Sequence, residues 1–197
     1  MTSVSLLQIE EIGVHRCAFG ERAYAMKKHD ATRLHYDLRL EWNGVLLSWA
    51  LTEGPSCHAR IIREAIEMED HRRAYLLFEG LHETGTIMLW DRGTWEPCPE
   101  SADIEKTLRN GILRFTLHGE KLKGGWTLTK TNTTKNARPI WALCKHVNAF
   151  AESYTSKCVL EERPNSISTG RTMEEIVRDW TRPKDKHQQQ MRLFDEA

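Results

Sequence analysis

The sequence predicts a mainly β fold: a small closed or partly open β-barrel with a few short helices and a C-terminal tail. Three observations predict it. Short runs of alternating apolar and polar residues recur at close spacing, as in "RLHYDLRLEW" (Arg33–Trp42). Glycine-bearing turn signals separate the runs. Helical periodicity is confined to two short stretches. Many short strands joined by tight turns read as a barrel or a sandwich.

Taken in order, residues 1–22 carry no assignable pattern. Ala23–Leu51 reads as two strands, "AYAMKKHDATRLHYDLRLEW" and "VLLSWAL", joined by Asn43-Gly44. That dipeptide suits a two-residue hairpin, whose central residues need positive φ. "TEGPSC" is a loop, and "REAIEMEDH" is ambiguous between strand and helix periods. "GTIMLWDRGTWEP" reads as two short strands split at Asp91-Arg92-Gly93. "SADIEKTLRNG" reads as a short helix with Ser101 as N-cap, Ile104 and Leu108 on one face, and Gly111 closing it. "ILRFTLHGEKLKGGWTLTKT" reads as two strands broken at Gly119 and Gly124-Gly125, and "IWALCKH" as the last strand.

The barrel domain is expected over residues 1–159. Residues 160–197 read as a linker ("ERPNSISTG" lies at its start), a short helix and a C-terminal peptide. In "TMEEIVRDW", Thr172 and Glu175 form a capping box, and Met173, Ile176, Val177 and Trp180 form an apolar stripe.

Composition narrows the class. The chain has 197 residues, 28 Lys+Arg against 28 Asp+Glu, so its net charge exerts no general pull on nucleic acid. The charge is uneven, however: Lys106–His146 holds nine Lys or Arg and one acid, Glu120. Such a patch can neutralise phosphates, but charge alone favours a solvated face whose acidic complement lies elsewhere. No apolar run approaches the roughly 20 residues of a membrane helix, and the start lacks a signal-peptide pattern. Five scattered cysteines without a CxxC argue against a disulfide framework or zinc knuckle. The expected location is the cytoplasm.

The candidate site begins in "RLHYDLRLEW". Alternate strand residues share a face, about 6.6–6.8 Å apart. Leu34, Tyr36, Leu38 and Leu40 then enter the core, while His35, Asp37 and Arg39 line the other face. An imidazole and a carboxylate at that spacing can hold one ion, and they suit manganese, zinc or iron. His29, across the "DAT" turn, can add a third ligand, and Arg39 can clamp a phosphate beside it. "EDHRRAY" supplies a second cluster with His71 and Tyr75. Periodicity alone favours a plain polar strand face.

"KHDATRLHYDLRLEWNGVLLSWALTEGPS" closely resembles the signature of the 3′-phosphoesterase domain of bacterial ligase D, the multifunctional ligase of end joining. "EDHRRAYLLFEG", "GTIMLWDRGTWEP", "LHGEKLKGGWTLTK" and "WALCKH" follow in the same order, and "STGRTMEEI" resembles the linker after that domain. The resemblance implies a stand-alone β-barrel with a manganese site in a groove. It implies removal of a 3′-terminal ribonucleoside and then of the 3′-phosphate, leaving a 3′-hydroxyl for repair. The implied metal ligands are His29, His35 and Asp37; the implied phosphate-contacting, catalytic groups are Arg39, His71 and Tyr75. Lys27, Arg33, Lys123 and Lys130 are further candidates for contacting substrate. Two departures stand out. Lys27 occupies a position where the family often has Gln, and "LHETGT" replaces a longer stretch rich in Pro, Gly and Tyr, placing His82 and Glu83 in the connection. The N-terminal arm with Arg16, Glu21 and Arg22 matches poorly.

Near the C-terminus "QMRLF" resembles the bacterial sliding-clamp binding motif. Gln190 would give directional hydrogen bonds, and Met191, Leu193 and Phe194 would fill an apolar cleft. The same region could instead dock on the barrel. The expected partners are DNA 3′ ends or RNA-tipped DNA, the clamp, and the Ku, polymerase or ligase of end joining. Two alternatives stand beside the enzyme reading: a binding module that holds DNA ends and recruits partners with little catalysis, and a metal hydrolase of small phosphate esters.

Overall fold

The computed structural model describes residues 22–151 and 158–180. Nine antiparallel strands are present among them: β1 Arg22–Asp30, β2 Leu34–Trp42, β3 Val45–Leu51, β4 Ile62–Arg72, β5 Gly80–His82, β6 Gly85–Pro97, β7 Ile112–Gly119, β8 Lys123–Lys135 and β9 Arg138–Lys145. The order β1-β2-β3-β4-β9-β8-β7-β6 closes because β6 also pairs with β1. The result is an eight-stranded barrel, with β5 as an extra strand on the start of β6. The expected β-barrel is therefore present, and it is closed.

Tight turns shape the wall. Asn43 and Gly44 both have positive φ, 50° and 83°, as the β2–β3 hairpin requires. Indole and phenyl rings fill the interior. Trp90, Trp95, Trp126 and Trp141 are fully buried, and edge-to-face pairs join Tyr36 to Trp90, Trp49 to Trp141 and Trp95 to Phe115. Burying rings of this size is the main apolar driving force for a barrel of this length.

Several local expectations change. Ala23–Trp42 is two strands, not one, because the chain reverses after Asp30 and β1 pairs with β2 from Asp30↔Leu34 onward. Leu34 is 47% exposed instead of buried, because it sits at that reversal, beyond the filled part of the barrel. β6 runs unbroken through Asp91-Arg92-Gly93. Asp91 is fully buried and accepts hydrogen bonds from the Tyr24 hydroxyl and from the backbone N–H groups of Lys121 and Leu122, so it serves the core and not a turn. Gly93 permits the crossing with β7: a Cβ there would lie 2.1 Å from the His118 carbonyl oxygen. The first helix, α1 Ile104–Asn110, is capped by Asp103, whose carboxylate accepts from Lys106 N–H, while Ser101 Oγ accepts from Arg114 N–H. The ambiguous "REAIEMEDH" is strand β4.

After β9 the chain returns to pack against β6 and the core. A short helix, α2 Val159–Glu162, is followed by α3 Met173–Trp180. Arg163 O accepts from Trp90 Nε1, and Ile167 N–H donates to Leu89 O. The capping box forms: Thr172 N–H donates to Glu175 and Glu175 N–H donates to Thr172 Oγ1. Met173 and Ile176 of the stripe join the core cluster. Among the described residues no helix is long and apolar enough to cross a membrane, and no disulfide joins Cys57, Cys98, Cys144 or Cys158.

Candidate metal centre

The site lies on the outer face of the barrel wall, over β1, β2 and β3. Tyr24 and Met26 of β1 enter the core, which turns Lys27 and His29 outward. On β2 both rows are buried. Tyr36, Leu38 and Leu40 enter the core, yet Asp37 is only 4% exposed and Arg39 only 9%. A solvated strand face would not bury its acid and its guanidinium. They are buried because the chain after β4 folds back over them: a 3-10 turn, Arg73–Leu77, then Phe78, Glu79 and β5. Lys27 Nζ ties this cover to the wall by donating to Phe78 O at 2.5 Å.

His29, His35 and Asp37 converge. One ligand atom from each lies within 4.8 Å of the others. The register explains it: His29 and His35 are direct partners across β1–β2, and Asp37 is the next outward residue on β2. Asp37 Oδ2 is 3.7 Å from His29 Nδ1, and Oδ1 is 3.7 Å from His35 Nε2. His35 Nδ1 donates to Arg33 O at 2.9 Å. A neutral His35 therefore has its lone pair on Nε2, turned toward the carboxylate. Two acceptors facing each other across 3.7 Å call for a cation between them. Two imidazole nitrogens and one carboxylate oxygen suit a divalent transition ion. Burial pushes the Asp37 carboxyl up, but the neighbouring His29 and the Arg39 guanidinium outweigh it, and the group lies below its ordinary range. The donor set fits a metal.

The cationic and hydrogen-bonding groups flank this cluster. Arg39 NH2 is 3.3 Å from Asp37 Oδ2, and NH1 donates to His71 Nδ1 at 2.6 Å. Arg39 faces Ser48 across β2–β3, and a register shift in the β3–β4 pairing, with one extra residue in β4 between Met68 and His71, brings His71 to the same place. Ser48 Oγ is 3.4 Å from His71 Nδ1. Glu69 O also lies 2.8 Å from that nitrogen. One nitrogen cannot accept from Arg39 and donate to a carbonyl at once, and Arg39 can only donate. The neutral ring therefore accepts from Arg39 and carries its proton on Nε2. Burial, then the neighbouring Arg39 charge, hold the His71 pKa below its ordinary value and keep it neutral at pH 7. Tyr75 stands edge-to-face with His71, ring centroids 6.4 Å apart. Burial and Arg39 bring the Lys27 ammonium down to about 7, against the pull of Glu79 and Asp37.

The structure thus brings together Lys27, His29, His35, Asp37, Arg39, His71 and Tyr75. Arg33 is exposed at the β1–β2 turn and contributes its carbonyl. Lys123 and Lys130 stand on β8, which pairs with β7 and β9. Lys130 Nζ is 3.7 Å from Glu67 and lies over Trp141. Arg16, Glu21 and Gln190, Met191, Leu193 and Phe194 lie outside the described residues. Sequence reasoning missed Ser48, Thr84 and the cover residue Glu79. Only the register, which sets Ser48 opposite Arg39, carries a signal for any of them.

Residues 27–130 match the family model described as the DNA ligase D 3′-phosphoesterase domain. The chain belongs to this family. It is 41% identical over 155 residues to the multifunctional non-homologous end joining protein LigD of Pseudomonas aeruginosa, covering 76% of this chain and 18% of that protein. The protein of that name from Mycolicibacterium smegmatis is 36% identical over 135 residues, 59% of this chain and 18% of the relative. The LigD of Mycobacterium tuberculosis is 32% identical over 114 residues, 55% and 14%. The chain therefore spans less than a fifth of the length of these curated relatives. The matched stretch contains every residue of the cluster, from Lys27 to Tyr75.

Proposed function

We propose that this chain processes DNA ends as a manganese-dependent 3′-phosphoesterase. It removes a 3′-phosphate, and a 3′-terminal ribonucleoside where one is present, to leave a 3′-hydroxyl for end joining. The observation that carries this reading is the convergence of His29, His35 and Asp37 with Arg39 and His71 on one covered wall. His29, His35 and Asp37 would hold the ion, which when bound polarises a phosphoryl oxygen and lowers the pKa of a water.

The chain's own groups supply the rest. Arg39 balances charge on the transferring phosphoryl, with its fork fixed between Asp37 and His71. His71, with Nδ1 turned to Arg39, has Nε2–H left to hydrogen-bond a phosphate oxygen or the leaving oxygen. Tyr75 holds a non-bridging oxygen or orients the His71 ring. Arg33, exposed at the β1–β2 turn beside His35, can meet the backbone of the strand end, whereas Lys27 is buried and held by Phe78 O. The C-terminal Gln190–Phe194 peptide would tether this activity to a sliding clamp.

The test uses labelled primer-templates ending in a 3′-phosphate or a ribonucleotide, with and without manganese. The expected outcome is metal-dependent 3′-hydroxyl formation that His35→Ala lowers by about 10³-fold, the scale of a lost metal contribution of several kcal/mol. Tight binding of the same ends with no turnover would sink the enzyme reading and leave a DNA-end-binding module.

A further inference from the structure

We propose that Thr84 and His82, in the short hairpin between β5 and β6, are positioning residues for the metal centre. Thr84 Oγ1 accepts a hydrogen bond from His29 Nε2–H and donates its own hydroxyl proton in a hydrogen bond to His82 Nδ1. The proposal rests on the metal reading above, but its tautomer statement can be tested without metal.

The geometry is a three-member chain. Thr84 Oγ1 is 3.2 Å from His29 Nε2 and 3.1 Å from His82 Nδ1. Thr84 N–H also points to His82 Nδ1, at 3.4 Å. A backbone N–H only donates, so that nitrogen of His82 is the acceptor, and the Thr84 hydroxyl can donate to it as well. The hydroxyl then has its lone pairs for His29. His29 must keep Nδ1 unprotonated to present it beside Asp37, so its proton belongs on Nε2, facing Thr84. Every proton in the row points one way, from His29 toward His82. Arg33 O does the same for His35 from the other side. Each imidazole of the centre thus has its far nitrogen held by one partner, the arrangement that fixes tautomer and ring orientation in metal sites.

Two further features hold the hairpin in place. Gly85 has φ +139°, and a Cβ there would fall 2.1 Å from Asp30 O. Only glycine lets this turn approach the end of β1 closely enough for Thr84 to reach His29. On the other side the His82 ring packs among Tyr75 and Phe78, with centroids 6.3 Å from each. The short "LHETGT" connection is therefore a built support for one metal ligand, and it links that ligand to Tyr75 through His82.

The experiment compares wild type, Thr84→Val and Thr84→Ser in the full chain. Mn²⁺ affinity is read by electron paramagnetic resonance of the unbound ion. The His29 tautomer is read from imidazole ¹⁵N shifts in metal-free protein, assigned by their loss in His29→Gln. Thr84→Val is expected to weaken Mn²⁺ binding by at least roughly 10-fold and to give His29 mixed tautomers. Thr84→Ser is expected to retain the wild-type affinity and the Nε2–H form. Wild-type behaviour of Thr84→Val in both readouts overturns the proposal. Equal losses in Ser and Val also overturn it, because packing of the hairpin and not the hydroxyl would then be at work. If wild type takes up no Mn²⁺, the metal reading fails on its own; an unchanged tautomer in Thr84→Val then overturns this one too.

Discussion

Two polar strips lie on the strands of one barrel. The first, on β1 to β4, carries His29, His35, Asp37, Arg39 and His71. The second, on β4, β8 and β9, carries Glu64, Glu67 and Glu69 opposite Lys135, Lys130 and Arg138, at 3.3, 3.7 and 3.8 Å. Their surroundings differ. In the second strip every charged side chain is at least 38% exposed; in the first, Asp37 and Arg39 are buried under the Arg73–His82 cover. The second gives three cations of the basic stretch Lys106–His146 acidic partners on β4. A polar row becomes a site when the chain pays to bury it, because buried charges persist only with partners in place.

Matched Arg→Lys substitutions break the comparison most sharply. Arg39 bonds Asp37 and His71 with separate nitrogens, a fork that a single ammonium cannot reproduce. Arg39→Lys is expected to lower kcat for 3′-phosphate removal by about 10²-fold, the loss of one aligned charge donor. Arg138→Lys in the second strip is expected to leave kcat within about twofold, since an exposed pair adds ~1 kcal/mol or less and touches no reacting group. Steady-state kinetics on a 3′-phosphate primer decides it. Equal effects from the two substitutions would erase the distinction between the strips.

A smaller effect separates the strips by pH. The His71 pKa lies below its ordinary 6.5, through burial first and then the Arg39 charge, with Glu69 O, Asp37 and Asp70 pulling the other way. Between the lowered value and 6.5 the unfolded chain binds more protons than the folded one, so stability rises with pH across that window. The contribution is complete above 6.5 and is lost as pH falls through the folded value. Urea denaturation in EDTA near pH 5 and near pH 7.5 is expected to show a larger acid loss for wild type than for His71→Gln. Parallel losses would remove His71 from the buried set.

Much of this was legible along the chain, and the failures share a cause. Asn43-Gly44, the alternation of β2 and the Thr172–Glu175 box are local signals, and each formed. The turn after Asp30 has no glycine or proline at its centre, so the strand count runs through it even though "DAT" reads as a turn where His29 is placed beside the strand. Asp91-Arg92-Gly93 has turn composition, yet Tyr24 and two backbone N–H groups satisfy Asp91 inside the barrel. Alternation placed His35, Asp37 and Arg39 on one face but carried nothing about a cover arriving from Arg73–His82. Resemblance to the family supplied that selection. Thr84 meets His29 across 55 residues, through a single hydroxyl in a turn, and no periodicity marks such a residue.

The smallest expected effect falls on the Lys135–Glu64 pair. Its atoms are 3.3 Å apart, close enough for a hydrogen bond, and its side chains are 49% and 41% exposed. Distance alone would rank it with Arg39–Asp37, also at 3.3 Å. Water decides otherwise: at the surface the Coulomb gain is screened, and two flexible side chains lose entropy to meet. Lys135→Ala is expected to change unfolding free energy by less than ~0.5 kcal/mol in physiological salt, with 3′-phosphate removal unchanged. Urea midpoints at low and high salt measure it. A loss above ~2 kcal/mol that persists at high salt would mean that this strip, too, is held by more than a solvated contact, and that exposure does not separate the two faces of the barrel.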